Sequence, residues 1–351
     1  MLLEKRINAF SELGNFLSQF KQDEIVKKEG VLENDTFFDS FKMLIKRAKE
    51  SNPWFTEDNV LFAIENWAKL LNEKELKKWI KKYHVEKIKP KTIAVIMAGN
   101  IPLVGFHDFL SVLISNHRIQ AKLSSNDKFL LPMLAKYLET IQPEFKQKIH
   151  FVDKLDNYDA VIATGSDNTA RYFDYYFGKY PHIIRKNRNG VAVLSGQETK
   201  EDLEKLGEDI FRYFGLGCRS VSKLFVPKNY DFDVFFRAIY KYRDIINYKK
   251  YENNYTYNKA VFLMSNFKLI ENGFLILKED VSYASPIATL FYEFYDDLDG
   301  LQQKLNLDQD KIQVIVSKLP IKNAIDFGQT QIPKLTDYAD GVDTVKFLET
   351  L

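Results

Sequence analysis

The stretch KTIAVIMAGNIPLVGFHDFLSVLIS, residues 91–115, decides the fold. TIAVIM is an unbroken apolar run of the length of one buried strand, and Ala98-Gly99-Asn100 interrupts it. Pro102 then opens an apolar stretch of helical length. A buried strand, a tight turn and a helix with proline in its first turn form the unit from which parallel sheets are assembled.

The same alternation continues downstream. RIQAKL reads as a strand, 128–138 as a helix, IHFV and DAVIA as strands, 168–177 as a helix and HIIRK as a strand. A second series follows the turn KNRNG, which places a boundary near Gly190. It comprises VAVLS, a helix over 201–213, SKLFVP, a helix from Phe232, and the strands AVFLMS, FLILK, ATLFYEF and IQVIVS. Upstream, residues 1–90 are helical: Val60, Leu61, Ile64, Trp67, Ala68 and Leu71 recur at helical spacing between polar positions. The chain therefore divides into a helical region (1–90), a first α/β domain (91–189), a second (190–327) and a C-terminal tail (328–351).

Composition narrows the function. The 351 residues are 45% hydrophobic and 28% charged, enough for two cores of ordinary size. Fifty Lys and Arg against 48 Asp and Glu leave a charge of +2, without the basic field that holds a nucleic-acid backbone. The segment 237–259, RAIYKYRDIINYKKYENNYTYNK, interleaves basic and aromatic residues. It reads as a solvated helix face, as a nucleic-acid surface, or as a contact for coenzyme A phosphates through Lys249 and Lys250.

One cysteine, Cys218, excludes an intramolecular disulfide and a multi-cysteine metal site and points to a reducing compartment. Charges at Glu4, Lys5 and Arg6 interrupt the N-terminus, and no run approaches about 18 apolar residues, so a cytoplasmic protein without a membrane span is expected.

The five histidines show no HExxH spacing, and no metal is expected. The GxSxG elbow and the P-loop pattern are missing. Gly215-Leu216-Gly217-Cys218-Arg219-Ser220 approaches GxGxxG but lacks the third glycine, and it follows a helix and precedes a strand, the reverse of a dinucleotide loop. The same segment suits a reactive thiol: glycines flank Leu216, and Arg219 beside Cys218 favours the thiolate. A buried, inert cysteine is the alternative.

Four segments in this order resemble the aldehyde dehydrogenase superfamily, and most of all its LuxC-type acyl-CoA reductase branch. They are AGNIPLV at 98–104, KLSSND at 122–127, ATGSDNTARYF at 163–173 and GLGCRSVSKLFVP at 215–227. KEDVSYASP at 278–286 and the closing FGQTQIPKLTDYADGVDTVKFL agree more loosely. The resemblance covers roughly 91–348.

It implies an aldehyde dehydrogenase-like α/β fold: two doubly wound three-layer α/β/α domains with parallel-rich sheets, the first a Rossmann-like NAD(P) domain with the N-terminal helices packed on it, the second catalytic. Cys218 then becomes the nucleophile that exchanges with an acyl thioester, the acyl group being reduced to aldehyde by hydride from a nicotinamide. Asn100 becomes an oxyanion donor together with the Cys218 backbone N–H; by itself Gly-Asn-X-Pro is a turn and cap sequence.

Lys122 is expected on the adenosine ribose, and Thr164, Gly165 and Ser166 at the cofactor phosphates. Glu279 is expected on the nicotinamide ribose. Ser125 stands where many NAD-preferring members carry glutamate, so Ser124 and Ser125 accommodate a 2′-phosphate; NADPH is expected, with NADH as the alternative. The water-activating glutamate of hydrolytic members falls near Arg185, where the sequence offers no carboxylate, so exchange with coenzyme A replaces hydrolysis.

The implied reaction is fatty acyl-CoA reduction, with an acyl-transferase or synthetase as partner and a homodimer as the assembly. Two rivals stand beside it: a CoA-acylating aldehyde dehydrogenase running oxidatively on the same residues, and a non-catalytic relative acting as a complex partner.

Overall fold

The computed structural model describes residues 1–351 except Lys87, Ser166 and Asn266, together with the side chains of all described residues but Asp167 and Asn168. The chain forms two compact units, Met1–Lys186 with Lys334–Leu351, and Asn187–Pro333. The expected boundary at 189/190 therefore falls a few residues earlier, and the stretch taken as a C-terminal tail is shared between the units.

The first unit opens with four helices, α1 (Leu3–Leu17), α2 (Asn34–Ser51), α3 (Glu57–Leu70) and α4 (Glu73–Ile80). Thr56 and Asn72 cap α3 and α4 by accepting the N–H groups of Asn59 and Glu75. The α/β part follows: β1 (Thr92–Ile96), α5 (Phe106–Ile114), β2 (Arg118–Lys122), α6 (Leu130–Ile141), β3 (Ile149–Phe151), β4 (Ala160–Thr164), α7 (Asp167–Phe177) and β5 (His182–Arg185). All neighbouring strands are parallel, in the order β3-β2-β1-β4-β5. The helices share one core with the sheet: Phe10, Phe16, Phe41 and Ile64 join Ile93, Phe109 and Leu134 in the same buried cluster. Residues 1–90 thus have no core of their own.

The second unit contains β6 (Asn189–Val193), α8 (Lys200–Phe211), β7 (Val221–Pro227), α9 (Phe232–Ile239), α10 (Lys249–Met264), β8 (Leu269–Glu271), β9 (Ile276–Glu279), β10 (Thr289–Tyr295), α11 (Leu298–Leu307), β11 (Ile312–Val316) and β12 (Ala324–Ile325). Its strand order is β12-β11-β6-β7-β10-β9-β8, parallel except for the β8–β9 pair. A capping box between Thr199 and Asp202 starts α8. The chain then returns to the first unit, where α12 (Thr344–Glu349) packs beside α5; His117 Nε2 lies 3.1 Å from the Leu348 carbonyl.

Three local readings are corrected. AVFLMS, read as a strand, is the last part of α10, whose buried face is Tyr251, Tyr255 and Asn258; Leu263 and Met264 point outward. Pro102 does not begin a helix: residues 101–105 form turns, Leu103 takes a left-handed φ of 57°, and α5 starts at Phe106. Gly190 does not lie in a turn but inside β6, at a register shift against β7.

Candidate active site

In the first unit, β1 is central and the chain leaves it in opposite directions, to β2 on one side and β4 on the other. Ligands of open parallel sheets bind at such a reversal, beyond the C-terminal ends of the strands. The expected cofactor residues gather at those ends. Lys122 closes β2, exposed, and its carbonyl accepts the Met97 N–H at 3.0 Å. Thr164 closes β4, with Gly165 after it and the N-terminus of α7 beyond; Ser166 lies outside the described residues.

The loops after β1 and β2 touch. A Cβ at Gly99 would lie 2.6 Å from Ser124 Cβ and Oγ, so only glycine admits this approach. Ser124 Oγ accepts the Asn126 N–H at 3.2 Å, while Ser125 is exposed. The one acid between Lys122 and Lys128, Asp127, turns inward and accepts the Leu103 N–H at 2.9 Å. Burial pushes its carboxyl up to about 6.

Asn100 is exposed in the loop between these anchors. Besides the Asp127 bond, the buried Asn52 amide at the end of α2 donates to the Gly99 carbonyl at 3.3 Å. Sequence reading gave Asn52 and Asp127 no part in this loop. Both lie far from Asn100 or point away from it, and no local pattern marks them.

Arg185, near the position expected to lack a carboxylate, is buried against one. Asp108 in the first turn of α5 accepts both terminal nitrogens of its guanidinium, and Arg185 Nη2 also donates to Thr344 Oγ1 at 3.0 Å. The Asp108 carboxylate is thus held in an ion pair.

In the second unit, Cys218 is half-buried in the loop between α8 and β7. Three successive residues before it, Tyr213, Phe214 and Gly215, take left-handed φ values of 55°, 57° and 75°. Two of them carry large side chains, for which this conformation is costly. The Phe214 ring stacks on Tyr248, centroids 4.6 Å apart. Tyr248 comes from the segment of interleaved basic and aromatic residues, and two further aromatics of that segment, Tyr251 and Tyr255, are buried.

The other side of the loop is fastened by residues 328–331. Arg219 Nε donates to the Thr330 carbonyl at 2.6 Å, and Gln331 Nε2 donates to Ser220 Oγ at 3.2 Å. Asp209 on α8 accepts the N–H groups of Gly328 and Thr330 at 2.6 and 2.9 Å; burial pushes its carboxyl up to about 6. Gly190 lies directly behind, its N–H donating to the Ser220 carbonyl at 3.1 Å.

Glu279 sits exposed at the end of β9, opposite Tyr292 of β10. That row of the sheet continues to Leu224 of β7, two strands across and well beyond Cys218 along the strand. The structure does not bring Glu279 to the Cys218 loop. Lys223 on β7 went unremarked in the sequence: it is fully buried, its ammonium donates to Glu293 at 2.7 Å, and burial lowers its pKa. Among the described residues no group of three His, Cys, Asp or Glu is placed to hold a metal, and no helix is long and apolar enough to cross a membrane.

Solved structures with this architecture include aldehyde dehydrogenases. One from Bacillus cereus in complex with NAD+ is 13% identical, with a TM-score of 0.60 over 87% of this chain and 70% of its own. Aldehyde dehydrogenase 21 from Physcomitrella patens, solved with succinate, is 11% identical, with a TM-score of 0.66 over 100% of this chain and 84% of its own. Aldehyde dehydrogenase C from Pseudomonas syringae, solved as a mutant with NAD+ and octanal, is 10% identical, with a TM-score of 0.61 over 91% and 78%. At these identities the likeness establishes the aldehyde dehydrogenase fold.

The family is given by sequence. The description of acyl-CoA reductase (LuxC) matches residues 17–237, more than half of the chain, and the chain belongs to that family of oxidoreductases acting on acyl and aldehyde groups. No curated protein matches it.

Proposed function

We propose that the chain is a fatty acyl-CoA reductase that works through a thioester on Cys218 and prefers NADPH. The observation that carries this reading is the Cys218 loop: a half-buried thiol in a strained backbone, clamped by Phe214–Tyr248 on one side and by Arg219–Thr330 and Ser220–Gln331 on the other. Such rigidity serves a nucleophile that must meet a carbonyl in one geometry.

The Cys218 thiolate attacks the carbonyl carbon of the acyl-CoA. The tetrahedral adduct collapses with expulsion of the coenzyme A thiolate, which takes up a proton, and the acyl group is left on Cys218. Asn100 donates its amide N–H to the negative oxygen in this adduct and in the one formed by reduction. The nicotinamide cofactor supplies the hydride that reduces the acyl group. Collapse of the second adduct releases aldehyde and restores the thiolate.

The strand order and the glycine-tight contact of Gly99 with Ser124 suit a dinucleotide at the ends of β1, β2 and β4. Lys122 and Ser125 are assigned to the adenosine side, Ser124 beside them, and Thr164 and Gly165 to the phosphates. NADPH is favoured because the only carboxylate of the 122–128 loop is engaged with Leu103. Glu279 is given no part. Two of the aldehyde dehydrogenases of like fold were solved with NAD+, which supports the cofactor class. The Arg185–Asp108 pair leaves no free base at that position, so release to coenzyme A is favoured over hydrolysis.

Incubation with acyl-CoAs of graded length, without cofactor, tests the reading by intact mass. An acyl adduct is expected on the native chain and not on Cys218→Ala. An adduct that survives the substitution, or the absence of one with every acyl-CoA, overturns the mechanism.

A further inference from the structure

A groove of about 510 Å3 in the first unit lies between α4 and the returning segment at Lys334–Thr336. Four lysines line it, Lys78, Lys81, Lys82 and Lys334, over Trp79 and Leu335. One carboxylate, Glu75, shares the lining, so the groove keeps a strong positive excess. Lys82 is drawn to Asp343, 3.4 Å away. Lys78, Lys81 and Lys334 are exposed and form no ion pair among the described residues. Four ammonium groups against one carboxylate around one concavity favour a ligand bearing several negative charges.

The floor is fixed and apolar. Trp79 is buried, with its Nε1–H satisfied by the Tyr338 hydroxyl at 2.7 Å, and Tyr338 is bonded in turn to Tyr83. The volume is in the range of small-ligand sites. An apolar floor with cations on its rim suits a nucleotide whose base lies on the floor and whose phosphates meet the lysines.

The floor of the groove is also tied to the first turn of α5. His107, the second residue of α5, contacts both sides of the floor: its Nε2 lies 3.0 Å from the Leu335 carbonyl, and its ring is 5.7 Å from that of Trp79. The loop 98–105 leads directly into this turn of α5.

We infer that this groove binds the 3′-phosphorylated ADP end of coenzyme A. The inference rests on the acyl-CoA reading above. It gives those phosphates a contact other than Lys249 and Lys250, of which Lys249 is paired with Glu252 at 2.8 Å.

The test is calorimetric titration of the full chain, under reductant and without cofactor, with coenzyme A, adenosine 3′,5′-bisphosphate and pantetheine. In the triple variant Lys78→Glu, Lys81→Glu, Lys334→Glu, affinity for coenzyme A and for the bisphosphate is expected to fall roughly thirtyfold, with NADPH affinity unchanged. The corresponding triple arginine variant is expected to bind as the native chain does, which separates loss of charge from loss of fold. Lys249→Gln with Lys250→Gln is expected to have no effect.

Unchanged coenzyme A binding in the glutamate variant, equal loss of NADPH binding, loss in the Lys249/Lys250 variant instead, or no coenzyme A binding by the native chain would each overturn the inference. Should the groove bind coenzyme A as described while no acyl adduct forms on Cys218, the reductase mechanism fails and the groove assignment stands.

Discussion

Asp108 and Arg185 meet in a two-pronged ion pair, with Arg185 Nη2 2.8 Å from Asp108 Oδ1, both side chains less than a tenth exposed. One partner comes from the first turn of α5 and the other from the end of β5, so the pair joins a helix to the edge strand of the sheet. Removing the acid alone strands a buried cation. Asp108→Ala is expected to cost about 3–5 kcal/mol in denaturant unfolding. The double replacement Asp108→Leu, Arg185→Met is expected to recover most of it. Equal losses for the single and double variants would show that the pair is held by packing rather than charge.

Gly190 makes the Cys218 loop possible by what it lacks. A Cβ there would lie 2.7 Å from the carbonyl oxygens of both Arg219 and Ser220, and both are backbone atoms that cannot rotate away. Gly190→Ala is expected to cost on the order of 1–3 kcal/mol and to slow acyl transfer to Cys218. The check is the rate of adduct formation by rapid-quench mass spectrometry. A native rate would show that the loop does not depend on this approach.

The Asp209 carboxyl titrates near 6 in the folded chain against an ordinary 3.8. Between these values the folded chain holds a proton that the unfolded chain has lost, so stability from this group is present at low pH and falls as pH rises. The loss is complete above the folded value and amounts to about 3 kcal/mol. Urea unfolding should show it as a difference: the stability of the native chain relative to Asp209→Asn is expected to be greater at pH 4.5 than at pH 7.5. A difference that does not change with pH would refute it.

The proposed preference for NADPH assigns the 2′ position to Ser125. A carboxylate placed there would face a 2′-phosphate, and Ser125→Glu is expected to lower kcat/KM for NADPH by roughly tenfold to a hundredfold, with NADH much less affected. Parallel loss with both cofactors would remove Ser125 from the 2′ position.

The strands of both sheets other than β8 and β12 are legible because they are short apolar runs punctuated by polar or glycine-containing breaks, as at Ile96 to Asn100. AVFLMS is not, because five consecutive apolar residues have no period that separates strand from helix. Its helix is set by Tyr251 and Tyr255 one turn apart, both buried, whose hydroxyls donate to the Phe274 carbonyl and to Glu271, and Met264 is left in solvent. Cys218 and the Asn100 loop could be found from residue types in order. Their fastenings could not. Asn52, Asp127, Gln331 and Gly190 act through distances set by the folded chain, and nothing in their own neighbourhoods announces a partner elsewhere. The left-handed turn at Tyr213 and Phe214 was hidden for a related reason: sequence marks such a conformation only where glycine or asparagine occupies it.

The first unit is interrupted in sequence by the whole of the second. Arg185 finds Thr344, and His117 finds the Leu348 carbonyl, only after Asn187–Pro333 has been made. During synthesis the second unit can therefore finish while the first still waits for its last staves. A ribosome stalled near Pro333 would hold a nascent chain with Trp79 deprived of Tyr338, and the first unit would become whole only once the final helix emerged.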